Sequence, residues 1–138
     1  MPAEADHASP TTLRRLERCF PPPVVTPIGN GRLLRSAGIA QVEEIDWWET
    51  TSAVALPVTL TPAQHFSARS PLNRNGALWG GFLIEAGGHR ILHAGDSGYG
   101  PHFREIAARL GPIDLALLPI GAYEPRWFMK EPITTNSP

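Results

Sequence analysis

The stretch His89-Arg90-Ile91-Leu92-His93-Ala94-Gly95-Asp96-Ser97-Gly98-Tyr99 decides how this chain reads. Its first half, through His93, suits a strand. Its second half is a turn of small residues around one carboxylate. A strand that runs out in this way puts Asp96 at the rim of a sheet, where metal ions are commonly held. His65 ends a similar run, Val58-Thr59-Leu60-Thr61-Pro62-Ala63-Gln64-His65. An imidazole and a carboxylate so placed can converge on one point. Each also has a plainer reading. A histidine after a strand is often a hydrogen-bonded loop residue, and an aspartate between glycines is often a turn former.

Working outward, Ala77 to Glu85 and Arg90 to His93 form a hairpin around Ala86-Gly87-Gly88. Downstream, Phe103, Ile106, Ala107 and Leu110 recur at helical spacing, Gly111-Pro112 stops the helix, and Leu115 to Ile120 reads as a buried strand. Upstream, Ser9-Pro10 is an N-cap and first helical position for a helix to about Cys19. Pro21-Pro22-Pro23 ends it and delivers a short strand, Val24-Val25-Thr26. Asn30-Gly31 opens a second short helix, Arg32 to Ala37, closed by Gly38 in a left-handed cap. Gln41 to Ile45 alternates as a half-buried strand, and Ala53 to Leu60 reads as another. Paired strands with flanking helices predict an α/β (α+β) sandwich. The tail Thr134 to Pro138 is polar and expected to fray.

At 138 residues and 42% hydrophobic content, residues 1–138 suit a single domain with one core. A net charge of −1 gives no electrostatic reason for nucleic acid as a partner. Cys19 stands alone, which excludes an intrachain disulfide and a cysteine-built zinc site. No apolar run reaches the roughly 18 residues of a membrane helix. Met1 to Asp6 has neither the basic start nor the apolar stretch of a secretory signal, so the expected location is cytoplasmic.

Three longer motifs add a resemblance: Thr61-Pro62-Ala63-Gln64-His65, Ala94-Gly95-Asp96-Ser97-Gly98-Tyr99, and Ile120-Gly121-Ala122-Tyr123-Glu124-Pro125-Arg126-Trp127-Phe128-Met129-Lys130. In this order they resemble the metallo-β-lactamase superfamily, and within it the branch of N-acylphosphatidylethanolamine-hydrolysing phospholipases D. The resemblance implies an αββα fold of mixed sheets with flanking helices, here a partial one. It implies a zinc-dependent phosphodiesterase that releases an N-acylethanolamine and phosphatidic acid, with a phospholipid at a membrane surface as substrate and a peripheral membrane location. It makes His65 a ligand of one zinc ion, Asp96 the bridge of a binuclear pair, and Asp6 and His7 ligands of the other ion. Asp6 and Asp96 are then the catalytic carboxylates.

The family motif H-x-H-x-D-H ends in Asp6-His7, and its two earlier histidines fall on Pro2 and Glu4. A further histidine expected after Lys130 falls near Ile133, and the last ligand falls past Pro138. The resemblance therefore implies the middle of a longer protein, cut at both ends. The ion at His65 keeps only His65 and Asp96, fewer than the three protein ligands of a typical catalytic zinc. A partial site, weak metal binding and impaired catalysis are the expectation. So is an unpaired sheet edge with exposed apolar residues, through which copies would associate. Two other functions fit the same residues: a non-catalytic interaction piece, and a hydrolase of another phosphodiester or a lactone.

The remaining conspicuous residues have mostly plain readings. His93 reads as a core or sheet-face residue and His89 as a solvated hairpin residue. His102, at a helix start near Asp96, is a candidate support for a metal ligand. Trp47, Trp48, Trp79 and Trp127 pack as core aromatics or line an acyl-chain groove. Arg126 meets a phosphate or pairs with Glu124 or Asp96. Gly29-Asn30-Gly31 resembles a phosphate loop only superficially, since it lacks the lysine and the long preceding strand.

Overall fold

The computed structural model describes residues 9–64 and 78–120. Helix α1 (Pro10–Cys19) leads into β1 (Val24–Pro27), α2 (Gly31–Ser36) and β2 (Val42–Ile45). Then follow β3 (Thr50–Thr51), β4 (Val58–Thr61), β5 (Gly81–Ala86), β6 (His89–His93), α3 (His102–Leu110) and β7 (Leu115–Leu117). Strands β1 and β2 pair in parallel, joined by α2. The other five form one mixed sheet in the order β3-β4-β5-β6-β7.

That sheet is antiparallel from β3 to β6, and its tightest connection joins β5 to β6. Gly87 and Gly88 take φ of 59° and 81°, the left-handed pair that matches a two-residue hairpin turn to strand twist. The step from β6 to β7 is parallel, and α3 makes the crossover it requires. Leu83 and Leu92 are direct cross-strand partners. Together with Ile106 of α3 they form the buried core of the sheet, with Trp48, Leu110 and Ile113 packed around it. The i, i+4 spacing of Ile106 and Leu110 is what lets α3 lie on that face. Arg90 fastens the far end: its guanidinium donates to the Leu110 carbonyl, and its backbone N–H donates to Asp114 Oδ2 at 2.7 Å.

Three expectations change. Ala53 to Pro57 is not strand; Ser52 to Ala55 close a turn, Ala55 sits at φ 63°, and only Val58 onward pairs with β5. The short β3 on the other side of that turn was hidden by its length. Residues 115–120 are not a buried strand: only Leu115–Leu117 pairs, and Leu115, Leu117, Leu118 and Ile120 are exposed. The physical reason is position. Strand β7 is an edge, hydrogen-bonded among the described residues only to β6, whereas β4 lies inside the sheet and is buried along its whole length. The expected hairpin also starts late, with β5 beginning at Gly81 rather than Ala77.

Candidate metal-binding rim

Strand β6 delivers the chain to the rim at His93, and the following turn is held from three sides. Ala94 N–H donates to the Leu117 carbonyl of β7 at 3.1 Å. Gly95 sits at φ 66°, and a Cβ there would lie 2.8 Å from the Gly80 carbonyl oxygen. Gly81 is as tightly placed, since a Cβ would lie 2.5 Å from the His93 carbonyl oxygen. Glycines at these positions let the turn press directly on the start of β5. Asp96 projects from this turn as an exposed side chain.

Ser97 is fully buried, and its hydroxyl ties the turn to two other segments. Gln64 N–H donates to Ser97 Oγ at 3.0 Å, and His102 Nε2 lies 3.0 Å from the same oxygen. Ser97 Oγ also lies 2.9 Å from the Gly98 carbonyl, to which it donates. Gly98 N–H in turn donates to the Gln64 carbonyl at 2.8 Å, making an antiparallel bridge between Gln64 and Gly98. The chain leaving β4 and the chain leaving β6 are thus joined backbone to backbone at the rim. Gln64 directly precedes His65, and Gly98 follows Asp96 by two residues.

His102 begins α3 half-buried, with its ring against Phe103 at 4.2 Å between centroids. Burial pushes its pKa below the ordinary histidine value, because the charged ring loses hydration. The plain readings hold for the other two histidines: both are exposed, and His93 Nδ1 accepts from Gly95 N–H at 3.2 Å. His93 is a sheet-face histidine and not a core one.

Of the sequence-predicted ligands, Asp96 is on the rim turn. Asp6, His7 and His65 lie outside the described residues, as do Glu124, Arg126 and Trp127. Among the described residues no three of His, Cys, Asp and Glu gather into a metal-sized group. Sequence reasoning missed Ser97 and Gln64. A serine between Asp and Gly reads as one more turn residue, and nothing local marks it as the hub of a tertiary contact. The described tryptophans pack. Trp47 and Trp79 meet edge to face at 6.1 Å, and their indole N–H groups donate to the carbonyls of Trp79 and Ala63. Arg109 lies over the Trp48 ring at 4.3 Å.

Gly29-Asn30-Gly31 is an anion cradle already filled from within. The Gly29 and Gly31 N–H groups donate to Glu44 Oε1 at 2.9 and 3.0 Å, and Arg35 pairs with Glu44 Oε2 at 3.2 Å. These contacts, Gly31 N–H foremost, hold the Glu44 carboxyl below its usual range.

A five-stranded mixed sheet with a crossover helix and a carboxylate turn at its rim matches a known family over nearly the whole chain: residues 2–137 fit the beta-lactamase superfamily domain, and the chain belongs to that family. Among its relatives is the N-acyl-phosphatidylethanolamine-hydrolyzing phospholipase D 1 of Caenorhabditis elegans, 35% identical over 136 residues, covering 91% of this chain and 38% of the relative. An uncharacterized Mycobacterium tuberculosis protein is 40% identical over 124 residues, covering 88% of this chain and 33% of that protein. The chain therefore spans little more than a third of the length of these relatives. A solved structure of Igni18, a metallo hydrolase from Ignicoccus hospitalis, superposes with a TM-score of 0.67 at 25% identity, covering 86% of this chain and 48% of that one. No helix among the described residues is long and apolar enough to cross a membrane.

Proposed function

We propose that this chain builds the Asp96 side of a zinc centre in a hydrolase that cleaves the phosphodiester of an N-acyl phospholipid. The observation that carries the reading is the Gln64–Gly98 bridge, since it joins the chain leaving β4 to the turn of Asp96 at the rim. The relatives named as phospholipase D support the substrate class, and the metallo hydrolase neighbour supports the metal. The donors suit zinc: a carboxylate at Asp96 and imidazoles at His65 and His7, with Asp6 as the second carboxylate. A bound metal supplies a strong nucleophile from water at neutral pH and positive charge for the phosphoryl oxygens. Hydrolysis there would put a water-derived hydroxyl on phosphorus and break the bond to the N-acylethanolamine oxygen, the remaining proton of water going to that alcohol. On this reading Asp96 and His65 would hold the ion at the rim, and the metal would supply the charge that orients the attack.

Pro2 and Glu4 occupy the positions of two family histidines, so the chain as it stands is expected to bind zinc weakly and to turn over little lipid. The test compares the wild-type chain, Asp96→Ala and the double variant Pro2→His/Glu4→His. Zinc retained after equilibrium dialysis and N-acylethanolamine released from phospholipid vesicles are measured, with a generic phosphodiester as the second substrate. Supporting results are zinc binding lost in Asp96→Ala, and chelator-sensitive lipid hydrolysis that rises when the histidines are restored. Hydrolysis of the generic diester alone would move the substrate class. Zinc retention unchanged in Asp96→Ala would overturn the metal site. The exposed apolar edge at Leu115, Leu117, Leu118 and Ile120 would then favour an interaction piece over an enzyme.

A further inference from the structure

Ser97 and His102 sit beside the proposed metal rim without being candidates to hold the ion, and their contact has no role in the chemistry described above. A serine 3.0 Å from a histidine nitrogen invites comparison with a nucleophile and its base. Burial argues against it. Ser97 has no exposed surface, so no substrate atom reaches its oxygen. Among the described residues the hydroxyl reaches structural groups: the Gln64 amide, the Gly98 carbonyl and the His102 ring. These come from the chain leaving β4, the rim turn and the first residue of α3.

The ring lies close to the backbone before it: a Cβ at Gly100 would lie 3.0 Å from His102 Nδ1 and would have to displace the end of the Gln64 side chain. The ring is held on its other side by Phe103. Helix α3 is itself anchored to the sheet core through Ile106. A rigid helix thus carries an imidazole that grips a buried hydroxyl, and that hydroxyl grips the backbone one residue before His65.

We infer that His102 is a positioning residue: acting through Ser97 Oγ, it sets the separation between the chain at Gln64 and the turn of Asp96, and so tunes the affinity of the rim for a divalent metal. The inference rests on the proposed metal reading for its functional half. Its geometric half, the tether itself, stands apart from any metal. Groups that orient a metal ligand without touching the ion commonly change affinity by about 10–100-fold when removed.

The experiment uses the full chain with His102→Phe, His102→Gln and Ser97→Ala. Phenylalanine keeps the ring and its packing on Phe103 but removes both nitrogens; glutamine returns a polar nitrogen near the place of Nε2. In the metal-free chain, hydrogen exchange at the Gln64 and Gly98 amides reads the tether, with the Leu83 and Leu92 amides as the core reference. With zinc added, competition against a chromophoric chelator reads affinity. The expected result is faster exchange at Gln64 and Gly98 in His102→Phe and Ser97→Ala, unchanged core amides, and zinc binding weaker by about 10–100-fold. His102→Gln should recover most of both losses. Unchanged exchange at Gln64 and Gly98 in His102→Phe, or a His102→Gln variant no better than it, would overturn the inference. If exchange responds as expected but wild-type chain and Asp96→Ala bind zinc alike, the tether stands and the metal reading falls. If His102→Phe fails to fold, Ser97→Ala carries the same two readouts.

Discussion

Replacing Gly95 by alanine should destabilise the chain distinctly more than replacing Gly88, and the difference measures how tightly the rim turn is pressed on β5. Both glycines have positive φ, 66° and 81°. Alanine in that region costs roughly 1–2 kcal/mol at either position. They differ in what the new methyl meets. At Gly88 nothing lies within 4 Å, so Gly88→Ala carries the backbone strain alone. At Gly95 the methyl would sit 2.8 Å from the Gly80 carbonyl oxygen, with the Gly81 Cα 3.9 Å away. Both belong to backbone at the start of an interior strand, which has little freedom to retreat, and overpacking of this kind typically adds about 1–3 kcal/mol. Gly95→Ala should therefore lose about 2–5 kcal/mol in total. Urea unfolding followed by tryptophan fluorescence gives both numbers, provided the slopes match so that midpoints report stability. Equal losses for the two variants would refute the reasoning, because they would mean that the turn at Asp96 can lift off β5 freely.

Two further outcomes are expected. Ile106→Ala removes the side chain through which α3 sits on Leu83 and Leu92, and should cost about 2–5 kcal/mol by the same unfolding assay; a loss under about 1 kcal/mol would show that α3 is not packed on the sheet. Glu44→Gln should flatten the acid limb of stability: the folded-state pKa of Glu44 lies below its ordinary value of 4.5, so its contribution is present above that pH and disappears as pH falls through the lowered folded-state value. Unfolding midpoints measured across this range should separate wild type from variant at neutral pH and bring them together in acid, and parallel curves would rule out the Gly29–Gly31 cradle as the cause.

Much of the rim was legible because local chemistry forces it. Gly87-Gly88 between two apolar runs specifies a hairpin, Ser9-Pro10 starts a helix, and Ala-Gly-Asp-Ser-Gly after a strand can hardly be anything but a turn. Where local and tertiary signals part, the reading failed. Ala53 to Pro57 is apolar enough for a strand, but its backbone closes a turn with Ala55 at positive φ. Leu115-Ala116-Leu117 has the composition of a buried strand, and only the strand order reveals that it is an edge among the described residues. Glu44 could not be seen as the occupant of the Gly29–Gly31 cradle, because the partners lie 13 and 15 residues apart and meet only when β1 and β2 pair. Ser97 is the sharpest case. Its hydroxyl joins segments 33 residues apart, and no periodicity or propensity carries that information.

The central claim is that the ends of β4 and β6 converge on one metal ion, and a crystal structure of the chain grown with zinc tests it most directly. The account predicts a single zinc at the rim with a carboxylate oxygen of Asp96 and an imidazole nitrogen of His65 each about 2.0–2.2 Å from it. Side chains of His65 and Asp96 more than about 8 Å apart, with zinc bound elsewhere or not at all, would contradict it, since no first-row ion can span that gap with bonds of such length.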